Sequence, residues 1–246
     1  ALVSDFPGLD FDDTIPPGFV PPDTHAAAGP NHVVEVVNSN VAFFDKSAGT
    51  RQFAQPLITF FGPTGVSDFP FDPKVTYDEL SQRFIVIALE GSPRTGVDSH
   101  LLFAISDDSN PNGAWEMHRI DVKDTGVTED YWGDYPGLGW DADGIYVTLN
   151  MFGFTSALFD HVSIISIDKS SVLDAQVGTF FSFDVDRDGS NFTMQPAVMH
   201  GAAPGDPMYF VSESGFANGG TLRVVQMENK LSATPTFTQT SISVDP

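Results

Sequence analysis

The chain has no cysteine among its 246 residues, and only 11 lysines and arginines stand against 33 aspartates and glutamates. Without cysteine no disulfide can staple the fold and no thiolate can serve as nucleophile or metal ligand. Stability has to come from packing, turns and bound ions. The formal net charge of −22 disfavours nucleic acid and anionic membrane surfaces, because phosphate is met by lysine and arginine. It favours divalent cations, cationic partners or simple solubility in a saline exterior. No apolar run approaches the ~20 residues that span a bilayer. The opening ALVSDFPGLDF has no leader character and reads as a mature N-terminus left by processing. Also missing are a GxSxG elbow, a phosphate-binding loop, a dinucleotide fingerprint and an HExxH metal motif.

What is abundant is phenylalanine, with 22 copies, together with 22 glycines and 18 prolines. Aromatic and β-branched runs broken by turn residues predict short strands. The clearest stretch is DPKVTYDELSQRFIVIAL, Asp72 to Leu89, which reads as strand, polar turn over Asp78–Gln82, and strand. Three related stretches begin at Asp23 (before HVVEVVN), at Asp134 (DYPGLGWDADGIYVTLN) and at Gln195 (QPAVMHGAAPGDPMYFVSESG). A period of roughly 50–60 residues with several strands per unit is the signature of propeller blades. The predicted fold is therefore an all-β propeller with about four blades in this chain, over 23–61, 62–122, 123–183 and 184–246. Residues 1–22, rich in Asp, Pro and Gly, form an extended N-terminal arm. The chain ends after the outer strand of the fourth unit, Thr236–Ser243, with no evident strand to close the first. It is expected to be part of a larger ring of five to seven blades, completed by a removed segment, a second polypeptide or another copy.

Within the units, Leu57–Phe61 fits either a strand or a half-turn of helix. DKSSVLDA is a helical turn begun by Asp168, Gly139–Asp143 is a hairpin turn, and Val198–His200 is a strand.

The repeated position carries the chemistry. If the four copies correspond, Asp23, Asp72, Asp134 and Gln195 sit at the starts of the first strands and converge. Clustered carboxylates are costly unless a cation or hydrogen bonds compensate. Three readings follow. Each aspartate caps its own turn; together they hold a metal, most simply Ca²⁺; or they act as the acid and base of a glycosidase. His25 and His32 flank the first of these loops. A sharper local motif is DVDRDGS, in which Asp184, Asp186 and Asp188 alternate ahead of Gly189 as at the head of a calcium loop. Position twelve is Gln195 and no helices are predicted beside it, so it is not an EF-hand. DADG at 141–144 is a weaker match and reads as a hairpin turn. Trp132, Tyr135 and Trp140 lie near Asp134 and suit either a sugar platform or the core. Asn191-Phe192-Thr193 fits a glycosylation sequon.

PPDTHAAAGPNHVVEVVN, DPKVTYDELSQRFIVIAL, AISDDSNPNGAW and GDYPGLGWDADGIYVTLNMF together resemble secreted bacterial β-propeller proteins of largely unknown function. More distantly they are similar to sialidase-like and arabinanase-like propellers. The resemblance covers about residues 20–215. It implies an exported propeller, extracellular or at the cell surface, and is specific for fold rather than activity. SDDSNPNGAW resembles the Asp-box turn, in which an aspartate caps backbone amides and a tryptophan packs between strands. In the glycosidase propellers the third acid is usually Glu, where this chain has Asp134. The leading expectation is a non-catalytic extracellular binding or assembly module stabilised by calcium. The alternative is a carbohydrate-active enzyme, glycoside hydrolase-like, with Asp23, Asp72 and Asp134 as its carboxylates. The expected partners are another polypeptide completing the ring or a surface assembly, and carbohydrate; nucleic acid and a membrane span are excluded.

Overall fold

A computed structural model describes residues 5–13, 19–91, 98–173, 178–185, 191–213 and 220–244. The chain is nearly all-β and consists of four antiparallel sheets of propeller-blade type. The first contains β1 (His25–Ala28), β2 (His32–Val37), β3 (Asn40–Asp45) and β4 (Arg51–Pro56). After a helical turn, α1 (Leu57–Phe60), the second contains β5 (Phe71–Asp78), β6 (Arg83–Glu90), β7 (His100–Ser106) and β8 (Trp115–Asp121). The third contains β9 (Asp124–Thr125), β10 (Asp130–Trp140), β11 (Gly144–Gly153), β12 (Phe159–Asp168) and β13 (Phe180–Val185), with α2 (Lys169–Leu173) between the last two. The fourth contains β14 (Gln195–Pro196), β15 (Met208–Glu213), β16 (Thr221–Glu228) and β17 (Thr236–Ser243). Each sheet is a meander in which every strand pairs with its neighbour in sequence. Among the described residues no helix is long and apolar enough to cross a membrane.

The chain divides into two compact units, Ala1–Asp121 and Val122–Pro246, each holding two blades. A sheet with one wet face alternates apolar and polar residues. β6, β7 and β11 do not alternate and are buried along nearly their whole length, so both faces of these strands are covered. In the first unit the cover is mutual. Val34, Val36 and Phe43 of the first blade share a core with Phe84, Val86, Ala88 and Leu102 of the second. In the second unit Tyr146, Val162 and Ile164 pack with Met208, Phe210 and Val225. Fully burying one such Phe or Val stabilises by roughly 1.5–3 kcal/mol, which is how a chain without disulfides holds together.

Leu57–Phe61 resolves as the helical turn α1, seating Leu57 and Phe60 in the first core. The Asp-box-like turn is structural, as the resemblance implies. Asp108 Oδ1 accepts the Asn110 amide at 2.6 Å, and Trp115 stacks on Phe43 at 5.7 Å between ring centroids. α2 is capped by Asp168, whose Oδ1 accepts the Ser170 amide at 2.9 Å. The strand expected at Val198–His200 is instead Gln195–Pro196, while Val198 makes a single parallel bridge to Trp140.

Candidate active site

The first strands of the blades are interrupted at one recurring place. β5 slips register against β6 between Phe71 and Lys74, and β10 slips against β11 between Asp134 and Gly137. Just inside each slip the backbone turns left-handed, with φ of 49° at Asp72 and 48° at Tyr135. Asp23 ahead of β1 (41°) and Thr193 ahead of β14 (57°) share this conformation. A bulge of this kind breaks the pleat alternation and re-aims one side chain. Short polar residues, which bond their own backbone, tolerate it best. The structurally matching residues are therefore Asp23, Asp72, Tyr135 and Thr193. Asp134 lies one residue before its counterpart, in β10 opposite Asn150, and Gln195 lies two residues after.

In the first unit the two left-handed residues are both acids, and the strands that follow or carry them, β1 and β5, lie side by side. The Asp23 and Asp72 carboxyls are neighbours that act on each other's titration. Burial first, and then the charge of Asp72, hold the Asp23 carboxyl above the usual carboxylate range, with Lys74 pulling weakly the other way. The pair is held by Asn38, which is buried. Its Nδ2 donates to Asp23 Oδ2 and to the Pro21 carbonyl (3.2 Å), and its Oδ1 accepts the backbone amide of Asp72 (2.8 Å). The Asn38 side chain thus fixes both the first acid and the bulge that carries the second. Beside them, His25 Nδ1 lies 2.9 Å from the Val75 carbonyl and ties β1 to β5. Burial, then the Lys74 charge, lower the His25 pKa, so this imidazole is neutral at pH 7. The chemistry available is that of a carboxyl whose pKa is raised beside a second carboxylate, the direction a proton donor requires.

The other nominated residues fall elsewhere. Trp140 is fully buried with Lys169 Nζ 5.0 Å above its ring, so it belongs to the core, whereas Tyr135 is 49% exposed. DADG is a hairpin turn. Asp141 Oδ1 accepts the amides of Asp143 and Gly144, and its Oδ2 pairs with Lys230 Nζ at 2.5 Å, so a lysine stands where a calcium ion would. Asn191 of the sequon is buried and bonded to Ser212 and Gln239, so no glycan can reach it. His32, at the start of β2, is not joined to the acid pair by any hydrogen bond described. Asn38 was overlooked in the sequence. The signal was there, since HVVEVVN and GIYVTLN both end in asparagine.

Of the calcium-loop aspartates, Asp186 and Asp188 lie outside the described residues. Asp184, the last residue but one of β13, lies beside His161 and Asp124, and the three ligand atoms fall within 4.8 Å of one another, close enough to hold a metal ion. His161 and Asp124 carried no sequence signal beyond the pair Asp160-His161 at the start of an apolar strand.

No protein-family model matches the sequence, and no curated protein matches it. Solved structures do resemble it in fold. A xylan β-1,4-xylosidase from Bacillus halodurans C-125 matches at 11% identity and a TM-score of 0.47, over 92% of this chain and 42% of that one. A GH43_1 enzyme from Xanthomonas citri, complexed with xylose, matches at 8% identity and a TM-score of 0.43, over 89% and 72%. A GH43 endo-arabinanase from Bacillus licheniformis matches at 10% identity and a TM-score of 0.42, over 91% and 94%. The chain thus spans less than half the length of the first of these. At such identities and TM-scores these matches carry no argument, and function has to rest on the side chains.

Proposed function

We propose that the protein is a carbohydrate-active enzyme of glycoside hydrolase type, in which Asp23 is the general acid. The supporting observation is a pair of neighbouring acids, Asp23 and Asp72, at two matched left-handed positions clamped by one buried asparagine, with burial and the Asp72 charge raising the Asp23 pKa. A glycosidic oxygen leaves only when protonated, and an acid held above the ordinary range keeps its proton at the working pH. Acid and nucleophile of a retaining enzyme stand about 5–5.5 Å apart and those of an inverting enzyme about 6.5–9.5 Å. Asp23 and Asp72, each bonded to the one Asn38 side chain, act as one acid unit. The base or nucleophile is a further carboxylate outside this pair. An extracellular or cell-surface location belongs to the same proposal.

The test is hydrolysis of aryl glycosides and polysaccharides, beginning with xylan and arabinan, by the wild type and by Asp23→Asn, Asp72→Asn and Asp134→Asn. Loss of a general acid costs about 10²–10⁴-fold in kcat, and in the wild type kcat falls as pH rises through the Asp23 pKa. Equal turnover by wild type and Asp23→Asn would remove the assignment.

A second reading, a binding or assembly module, is favoured by β17. All eight of its residues are exposed, and it pairs only with β16 among the described residues. An open edge of this kind is a template for a further strand from a partner chain. A compact monomer by light scattering, unchanged up to high concentration, would count against self-assembly through it.

A further inference from the structure

We propose that Asp124, His161 and Asp184 form a transition-metal site, of the class that takes zinc, at one end of the third blade. The proposal is independent of the glycosidase reading. His161 is fully buried, and its Nδ1 lies 2.8 Å from Asp160 Oδ2. A carboxylate there fixes the proton on Nδ1 and leaves the Nε2 lone pair pointing the other way, the second-shell arrangement of metal-bound histidines. Nε2 has no hydrogen-bond partner among the described residues. It faces Asp184 Oδ1 at 3.3 Å and Asp124 Oδ2 at 3.6 Å. Donor atoms about 2.0–2.2 Å from a zinc ion stand ~3.3–3.6 Å apart at tetrahedral angles, so both separations fit two ligands sharing one ion. A neutral imidazole and two carboxylates carry two negative charges, which a divalent cation cancels. The side chains of Asp124 and Asp184 are 23% and 35% exposed, which leaves a path for the ion and a position for water.

The imidazole decides the class. Calcium takes six to eight oxygen donors, whereas zinc and its neighbours accept nitrogen with oxygen in four-coordinate sites. In this site Asp184 works with residues remote in sequence, and the donor set favours a zinc-class ion over calcium. β9 and β13 are the two edges of the five-stranded sheet, so an ion here ties one edge to the other.

The test is Co²⁺ added to chelator-stripped full chain, followed in the visible spectrum, with Zn²⁺ and Ca²⁺ as competitors and with thermal unfolding in parallel. One equivalent of Co²⁺ should give the intense d–d bands of a four-coordinate site. Micromolar Zn²⁺ should displace it and millimolar Ca²⁺ should not, and Zn²⁺ should raise the unfolding midpoint. His161→Gln should abolish the bands, and Asp160→Asn, which only orients the ring, should weaken Zn²⁺ binding about 10–100-fold. Should His161→Gln fail to fold, the partly exposed Asp124→Asn and Asp184→Asn carry the test, each expected to lose the bands. No bands in the wild type, bands that survive these variants, or displacement by Ca²⁺ would each overturn the proposal.

Discussion

In the first unit the asparagine that follows β2 accepts the amide of Asp72, and in the second an asparagine within β11 accepts the amide of Thr193, both at 2.8 Å. Both hydrogen bonds run from the second strand of one blade to the left-handed residue at the start of the next. Asn150 also donates to the Thr193 hydroxyl at 3.1 Å, whereas Asn38 donates to a carboxylate. The backbone device is the same and the chemistry placed on it differs. The second unit fills the left-handed positions with a phenol and a hydroxyl, and the first fills them with two acids. Such a pair is not needed to hold the blades, because the second unit is built without one. That contrast is what gives Asp23 and Asp72 the character of a site.

The units also differ in how they settle buried negative charge. The second sets Lys230 and the Tyr146 hydroxyl on the Asp141 carboxylate, while the Lys169 ammonium donates to the Asp141 backbone carbonyl. The first sets the Asn38 side-chain amide against its acids. Lys230→Met breaks this contrast most severely, because it strips the ammonium from a fully buried carboxylate. A loss of about 3–5 kcal/mol is expected, read by urea unfolding at pH 7.

Asp23→Asn sharpens it. The folded Asp23 carboxyl sits above its unfolded value of 3.8, so the native state binds that proton more tightly. Its contribution to stability is complete below the unfolded pKa and is lost as pH rises through the folded one. In the wild type stability should fall across that window, with Asp72 and Lys74 as the charged groups that set its position. In Asp23→Asn that decline should disappear, as unfolding curves taken at a series of pH values would show. The smallest effect is expected at the helical turns. α1 has no side-chain cap and α2 is capped by Asp168, so Asp168→Ala should cost about 1 kcal/mol by the same measurement.

The strands were legible wherever β-branched and aromatic runs met turn residues, and β17 falls on the expected Thr236–Ser243. Asp23 and Asp72 drew attention in the sequence because each opens a strongly patterned stretch. Asp134 was placed one residue off its structural counterpart, because a bulge inserts a residue that no periodicity marks. The fourth blade's first strand was misplaced because its pairing with β15 is only two residues long, too short for a pattern. His161 and Asp124 could not be linked to Asp184 from spacing, since the strands that bring them together are joined only by the folded sheet. Asn38 looked like the polar end of a strand, and only its three partners reveal it as the residue that holds the acids.

The raised pKa of Asp23 is open to direct measurement. Carboxyl-carbon NMR can follow the titration of Asp23 in the wild type and in Asp72→Asn. Asp23 should titrate above the ordinary aspartate range in the wild type and move back towards it when Asp72 loses its charge. An Asp23 that titrates as a free aspartate, with the same midpoint in both proteins, would contradict the paired acid and the function built on it.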